Sequence, residues 1–394
     1  MDIAFQDLLL FLVIVWGSAV VLGRFGVPTI MGELMVGVII GPAVLGLVHP
    51  NEIIEFLAQM GIFFLMLHTG LETHPSEFFE AAKKSIGVAI VGAIVPFAVS
   101  FSIALFVADM TPRAATFVGL VFTATAVVVT LKILRDLGLG KGKMAQMIVA
   151  SCVIDDLLTL VAFGMILGLI QGGPLDLANL AITTGKVVFF FGVSLAIGYY
   201  IYPRFKRFFQ DRHGKGFTFI VVLGLAAGLF AEALGLHIIL GAYLAGLFMD
   251  ERVASEELMQ KMEDRVYGIA YSFLGPIFFI SLGFHITFDV FAGPEIWLIL
   301  ILTGAVAVGQ IISAGIMARL AGLNKVESLG VGIGMCGRAE MAFILASLAL
   351  TMEVIDNRVF SVLIFSAFLL NLITPIGLKL VANRLKAKKI SRKT

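Results

Sequence analysis

Two adjacent acids, Asp155 and Asp156, stand in the middle of the stretch MAQMIVASCVIDDLLTLVAFGMILGLI, residues 144–170. A bilayer-crossing helix needs roughly 20 apolar residues, and this stretch supplies them. An acid at that depth costs about 2.5–3.5 kcal/mol on insertion scales. Two neighbouring acids cost more unless a proton or a cation neutralises them. The chemistry this implies is reversible binding of cations or protons; the alternative is a purely structural pair bonded to buried donors. Consecutive helix residues point about 100° apart, so the two carboxylates are expected to differ in role.

Two further stretches carry polar groups at membrane depth. FTATAVVVTLKIL, residues 122–134, offers Thr123 and Thr125 beside a β-branched run that weakens a helix. Threonine hydroxyls can satisfy freed carbonyls or supply oxygen to a hard cation. GVGIGMCGRAEMAFILA, residues 330–346, puts Gly330, Gly332, Gly334 and Gly337 ahead of Arg338 and Glu340. Both read as broken helices, whose half-helix ends present dipoles to an ion site. Arg338 and Glu340 could equally form a structural ion pair. Ser151, one turn before Asp155, is a supporting candidate. Glu33 and Glu72 lie near span ends and read as interhelical or cytoplasmic-mouth residues. His68, His237 and His285 read as packing residues.

These residues must be positioned by an all-helical membrane protein. Of 394 residues, 59% are hydrophobic and 14% charged, with mean hydropathy +1.03; a soluble chain carries about a quarter charged residues. A net charge of +1 gives no reason to expect nucleic acid. Cys152 and Cys336 both fall in spans, so no disulfide framework is indicated. The acidic N-terminus, MDIAFQDLLLFLVIVW, reads as a first span and not a cleaved signal. No nucleotide or cofactor motif and no enzymatic triad is visible, so neither a cofactor nor an enzyme is expected.

Thirteen spans are predicted, at 6–23, 28–47, 52–71, 85–108, 115–134, 144–170, 182–202, 216–232, 235–250, 268–286, 295–319, 328–351 and 358–381. Gly235 is the expected turn between the eighth and ninth. With the N-terminus outside, most Lys and Arg fall in cytoplasmic loops, against Arg113, Lys186 and Arg358 outside. The connection 250–265 is expected to hold a short surface helix with a Glu257–Lys261 pair. The basic tail, 382–394, would meet anionic headgroups. No G-x-G-x-x-G follows it, and no attached regulatory domain is expected. Thirteen spans divide as six, one and six, which makes the halves inverted repeats: span 5 matches span 12, and span 6 matches span 13.

Seven stretches, in order, resemble the monovalent cation:proton antiporter-2 family of Nap-type and Kef-type exchangers. They are PTIMGELMVGVIIGPAVLG at 28–46, FLMLHTGLE at 64–72, TATAVVVT at 123–130, VIDDLLTLV at 153–161, AEALGLHIILGAYLAGLF at 231–248, PIFFISLGFHI at 276–286 and GRAEMAFILA at 337–346. The resemblance implies a homodimeric, elevator-type exchanger of Na⁺, Li⁺ or K⁺ against H⁺ that serves pH homeostasis in a bacterial or archaeal inner membrane. It implies that 52–170 and 268–381 form mainly the ion-translocating core, and that 1–47 and 203–250 form mainly the dimerisation scaffold. Asp156 takes the position of the essential carboxylate, Asp155 that of its variable neighbour, and Thr125 lies at the crossing of the broken helices. Gln310 departs from the pattern: many two-aspartate relatives carry a lysine there, which could salt-bridge Asp155 and carry a proton. Glutamine only hydrogen-bonds.

The expected activity is secondary antiport with one carboxylate binding either cation or proton. The alternatives are a Kef-like potassium efflux pathway with a separate regulatory subunit, and a non-transporting receptor on a transporter fold.

Overall fold

The computed structural model describes residues 12–17, 20, 29–72, 75–126, 130, 133–134, 137, 139, 142–171, 177–201, 204, 215–249 and 256–390. Most of the first predicted span, much of 127–134 and the connection 250–255 lie outside them, as do Lys206, Arg207, Arg212 and the last four residues of the tail. Among the described residues the protein is all-helical, with eight helices long and apolar enough to cross a membrane and two shorter apolar ones. The chain divides into two compact units, residues 1–75 with 160–284 and residues 76–159 with 285–394. Residues 52–75, 160–170 and 268–284, expected with the translocating core, group with the first unit.

In the first unit, Glu52–Glu72 packs against Ile238–Leu247 and Gly275–Gly283, and Ile238–Leu247 also packs against Lys215–Ala233. The packing needs small residues, because apolar helices in lipid gain little from hydrophobicity and rely on close contact. A methyl group on Gly70 would sit 2.1 Å from the Tyr243 carbonyl oxygen, and one on Gly246 would sit 2.2 Å from that of Leu67. The expected turn at Gly235 is present. Its φ is +79°, a left-handed value that glycine adopts without strain, and Leu236 N–H reaches back to Ala231 O at 2.9 Å. The surface helix is longer than expected. Glu256–Ile269 carries the Glu257–Lys261 pair and continues through a π-helical turn, Ala270–Leu274, into Gly275–Gly283.

In the second unit the long helices are Pro75–Phe106, the first half of Lys143–Gln171, Glu295–Leu320 and Asn357–Ile390. Between them lie two interrupted segments. Pro112–Val121 starts from Thr111, whose hydroxyl accepts from Ala114 N–H at 3.2 Å, with Pro112 at the first helical position. It ends at Phe122, and no regular helix follows through Ala126. Lys325–Gly334 starts from a reciprocal cap. The Asn324 side chain accepts from Val326 and Glu327, and Glu327 accepts from Asn324 N–H. It ends at Met335, and Glu340–Thr351 resumes after an extended link. Both expected breaks are therefore present.

The glycines before the second break do not cause it, since the helix runs intact through Gly334. They make room. A methyl group on Gly330 would meet Met144, one on Gly334 would meet Ile148, and one on Gly332 would lie 2.5 Å from Ile311 O. Met144 and Ile148 are one turn apart on the helix that carries the aspartates, which is thereby seated against Lys325–Gly334.

Candidate functional site

The two breaks are bonded to each other. Ala126 N–H donates to Gly337 O at 2.9 Å, and the Thr130 hydroxyl donates to Gly334 O at 2.9 Å. Each interruption frees backbone groups that lipid cannot solvate, so partners must come from the protein. Two extended links that cross can satisfy each other's groups.

Arg338 sits at the crossing, fully buried. Its Nε donates to Phe122 O at 2.9 Å, Nη1 to Met335 O at 2.8 Å and Gly337 O at 3.1 Å, and Nη2 to Gln310 Oε1 at 2.9 Å. Phe122 and Met335 are the C-terminal cap residues of the two half-helices. The guanidinium thus meets the negative ends of both half-helix dipoles. Asn371, in Asn357–Ile390, clamps the arginine's backbone: Oδ1 accepts from Arg338 N–H at 2.9 Å and Nδ2 donates to Arg338 O.

Asp155 and Asp156 lie on Lys143–Gln171, a helix mostly enclosed by protein: 75% of its membrane window is buried, against 17% for Thr184–Ile201. Asp155 is fully enclosed, whereas Asp156 retains 7% exposure. Neither oxygen of Asp155 receives an aligned hydrogen bond among the described residues, and the same holds for the Thr125 hydroxyl. The two groups nevertheless lie side by side, and the Arg338 charge acts on Asp155 through space. Thr123 has committed its proton to Gly119 O at 3.0 Å. The Ser151 hydroxyl donates to Ser85 O at 3.4 Å, tying this helix to Pro75–Phe106. Gln310 keeps its Nε2 without a hydrogen bond, 3.1 Å from where a methyl on Gly92 would stand.

The structure thus brings Asp155, Thr125, Arg338 and Gln310 into one buried cluster, with Asp156 beside them on the neighbouring helix face. The Glu340 side chain lies outside the described residues, so an Arg338–Glu340 pair is not among the contacts seen. Two buried polar residues, Asn371 at the crossing and Thr159 on the helix that carries the aspartates, were not singled out from the sequence. Asn371 was signalled only by being an amide inside the apolar run FSAFLLNLITPIG. Thr159, one turn beyond Asp155, has a fully buried hydroxyl with no hydrogen bond. Two expected bystanders are also placed. The His237 ring accepts from Ile239 N–H as a helix cap, and His285 packs against Phe360.

The fold resembles that of the sodium proton antiporter MjNhaP1 from Methanocaldococcus jannaschii, with TM-score 0.70 at 18% identity over 97% of this chain and 98% of that one. The chain is 32% identical to the Na⁺/H⁺-K⁺ antiporter GerN of Bacillus cereus, covering 90% of each protein. It is 28% identical to the Na⁺/H⁺ antiporter of Enterococcus hirae, covering 92% of this chain and 94% of that protein. The family model described as sodium/hydrogen exchanger, transmembrane, matches residues 8–384. This multi-pass membrane chain therefore belongs to the sodium/hydrogen exchanger family, a family of transporters.

Proposed function

We propose that the chain exchanges Na⁺ for H⁺ across the membrane, with Asp156 as the carboxylate that binds one or the other. The observation that carries this is the contrast within the acid pair: Asp155 is fully enclosed near the Arg338 charge, whereas Asp156, although buried, keeps 7% of its surface exposed. The guanidinium's hydrogen bonds go to carbonyl oxygens and to Gln310, and its charge acts on Asp155 only through space. Asp156 is the acid of the pair that we assign to the transported ion. A site whose loaded forms are neutral crosses a low-dielectric barrier far more cheaply than an empty one. Exchange follows, because cation and proton occupy the same carboxylate in turn.

The names of the two curated relatives support Na⁺ and H⁺ as substrates, and that of GerN keeps K⁺ open. Neither is named a Kef-type efflux system, and the Kef-like alternative finds no support. The relatives support the sodium/hydrogen exchanger family as a whole and not the antiporter-2 label that the motifs suggested. We assign the second compact unit to ion translocation, since it holds the breaks and both aspartates, and the first to the scaffold of an elevator-type homodimer. Placing the N-terminus outside an inner membrane continues to rest on the basic-residue asymmetry.

The test is proton flux in proteoliposomes on addition of Na⁺, Li⁺ or K⁺. Wild-type protein is expected to acidify or alkalinise the lumen in response to Na⁺, and purified, monodisperse Asp156→Asn protein is expected not to. Exchange by that variant at a wild-type rate would overturn the assignment.

A further inference from the structure

A second cluster of ligand-type side chains lies in the first unit, and the exchange reaction does not use it. His68 and Glu72 are one turn apart on Glu52–Glu72, and Glu263 comes from Glu256–Ile269. One donor atom from each lies within 4.8 Å of the others. His68 is 1% exposed, and its Nδ1 makes no hydrogen bond. That atom faces Glu72 Oε2 at 3.7 Å. The rings of Tyr267 and Tyr271 pack on the imidazole with centroids 5.3 and 5.2 Å away and hold its orientation. Tyr267 follows Glu263 by one turn on the same helix, and Tyr271 lies in the π-helical turn that continues it.

A packing histidine would be expected to bond its buried nitrogen to a nearby donor or acceptor, since orphaned buried polar atoms are costly. Here the nitrogen faces the Glu72 carboxylate, and a Glu263 oxygen belongs to the same cluster. Ligand donors on a tetrahedral Zn²⁺ at about 2.0–2.1 Å stand roughly 3.4 Å apart, so a small contraction of the cluster would bring the three groups onto one ion. The donor set, one imidazole and two carboxylates, suits a first-row divalent metal better than a monovalent cation. Glu72 is 43% exposed, which gives the ion a route in and leaves a position for water.

We propose that His68, Glu72 and Glu263 form a divalent-metal site of Zn²⁺ type that clips Glu52–Glu72 to the helix at Glu256–Ile269. The site is distinct from the aspartate pair and binds an ion that is not transported.

Metal-free, detergent-purified full-length protein is titrated with Zn²⁺ by equilibrium dialysis, and with Co²⁺ while its visible absorption is followed. One Zn²⁺ per chain and a Co²⁺ spectrum with an imidazole–oxygen coordination pattern are expected. Loss of a supporting residue around a metal weakens binding about 10-fold or more, and loss of a ligand does at least that. Glu263→Gln, at a partly exposed position, is therefore expected to fold normally and bind at least about 10-fold more weakly. His68→Gln is expected to abolish the Co²⁺ spectrum. Zn²⁺ is also expected to raise the thermal unfolding midpoint of the wild type and not that of Glu263→Gln. Binding that is absent in the wild type, equal in wild type and Glu263→Gln, or matched by Mg²⁺ at the same concentration would overturn the site. Because the readouts are binding and unfolding, they hold whether or not Asp156 is the exchanging carboxylate.

Discussion

Arg338 shows how one buried charge can serve a backbone rather than an acid. Its guanidinium donates to Phe122 O, Met335 O, Gly337 O and Gln310 Oε1. Hydrogen bonds to a charged group contribute about 1.5–3 kcal/mol each. Lysine offers a compact ammonium and cannot span the same fork. Arg338→Lys is expected to lower stability by about 3 kcal/mol or more, read as a drop in the unfolding midpoint in detergent; an unchanged midpoint would mean that the fork is not stabilising. Gln310, which accepts from Arg338, carries no exchangeable proton. If Asp156 alone exchanges, as proposed, one Na⁺ is expected to trade for one H⁺ and transport to be electroneutral. Exchange rates in proteoliposomes under a potassium–valinomycin potential of either sign are expected to be equal. Rates that follow the potential would show a second proton, and Asp155→Asn would then test whether Asp155 carries it.

At the scale of elements, the two crossed breaks are supported from two helices that the six-one-six count pairs. Lys143–Gln171 brings Asp155 beside Thr125 in the first break, and Asn357–Ile390 brings Asn371 onto the backbone of the second. Asn371→Leu leaves a buried N–H and C=O of Arg338 without partners, at about 1–3 kcal/mol each. It is expected to destabilise the protein and to slow exchange; unaltered exchange kinetics would remove Asn371 from the site. Gly332 tests the packing reading. Its Cβ would approach Ile311 O at 2.5 Å, so Gly332→Val must displace one helix. A loss of roughly 1–3 kcal/mol, as for an overpacked core, is expected, with the breaks themselves intact.

For the whole molecule, the proposed competition at one carboxylate predicts the direction of the pH dependence. Protons would displace cations as pH falls, so the apparent Na⁺ affinity is expected to be lost on acidification and recovered on alkalinisation. Where the protonated form predominates, one-for-one competition raises the half-saturating Na⁺ concentration about tenfold per pH unit. Half-saturation measured by Na⁺-dependent proton flux across an acidic series checks this; a flat profile would contradict competition.

The amino-acid sequence by itself determined the helical membrane class, the turn at Gly235, the acid pair and the existence of both breaks. Each of these leaves a local mark: apolar length, a residue able to take positive φ, charge at membrane depth, or β-branched and glycine-rich interruption. Where a local mark had two readings, the tertiary structure chose. The glycines at 330–334 clear space for Met144, Ile148 and Ile311 and leave their helix intact, because a missing side chain can serve flexibility or close approach and only the neighbour shows which. Arg338 stood beside Glu340 in sequence, yet the partners of its guanidinium, Met335 and Gly337 apart, are 28 and 216 residues away, at Gln310 and Phe122. Asn371 and Thr159 were indistinguishable in sequence from ordinary polar residues of apolar helices. A buried polar group takes its meaning from the unsatisfied groups it meets, and those are brought to it by segments distant in the chain.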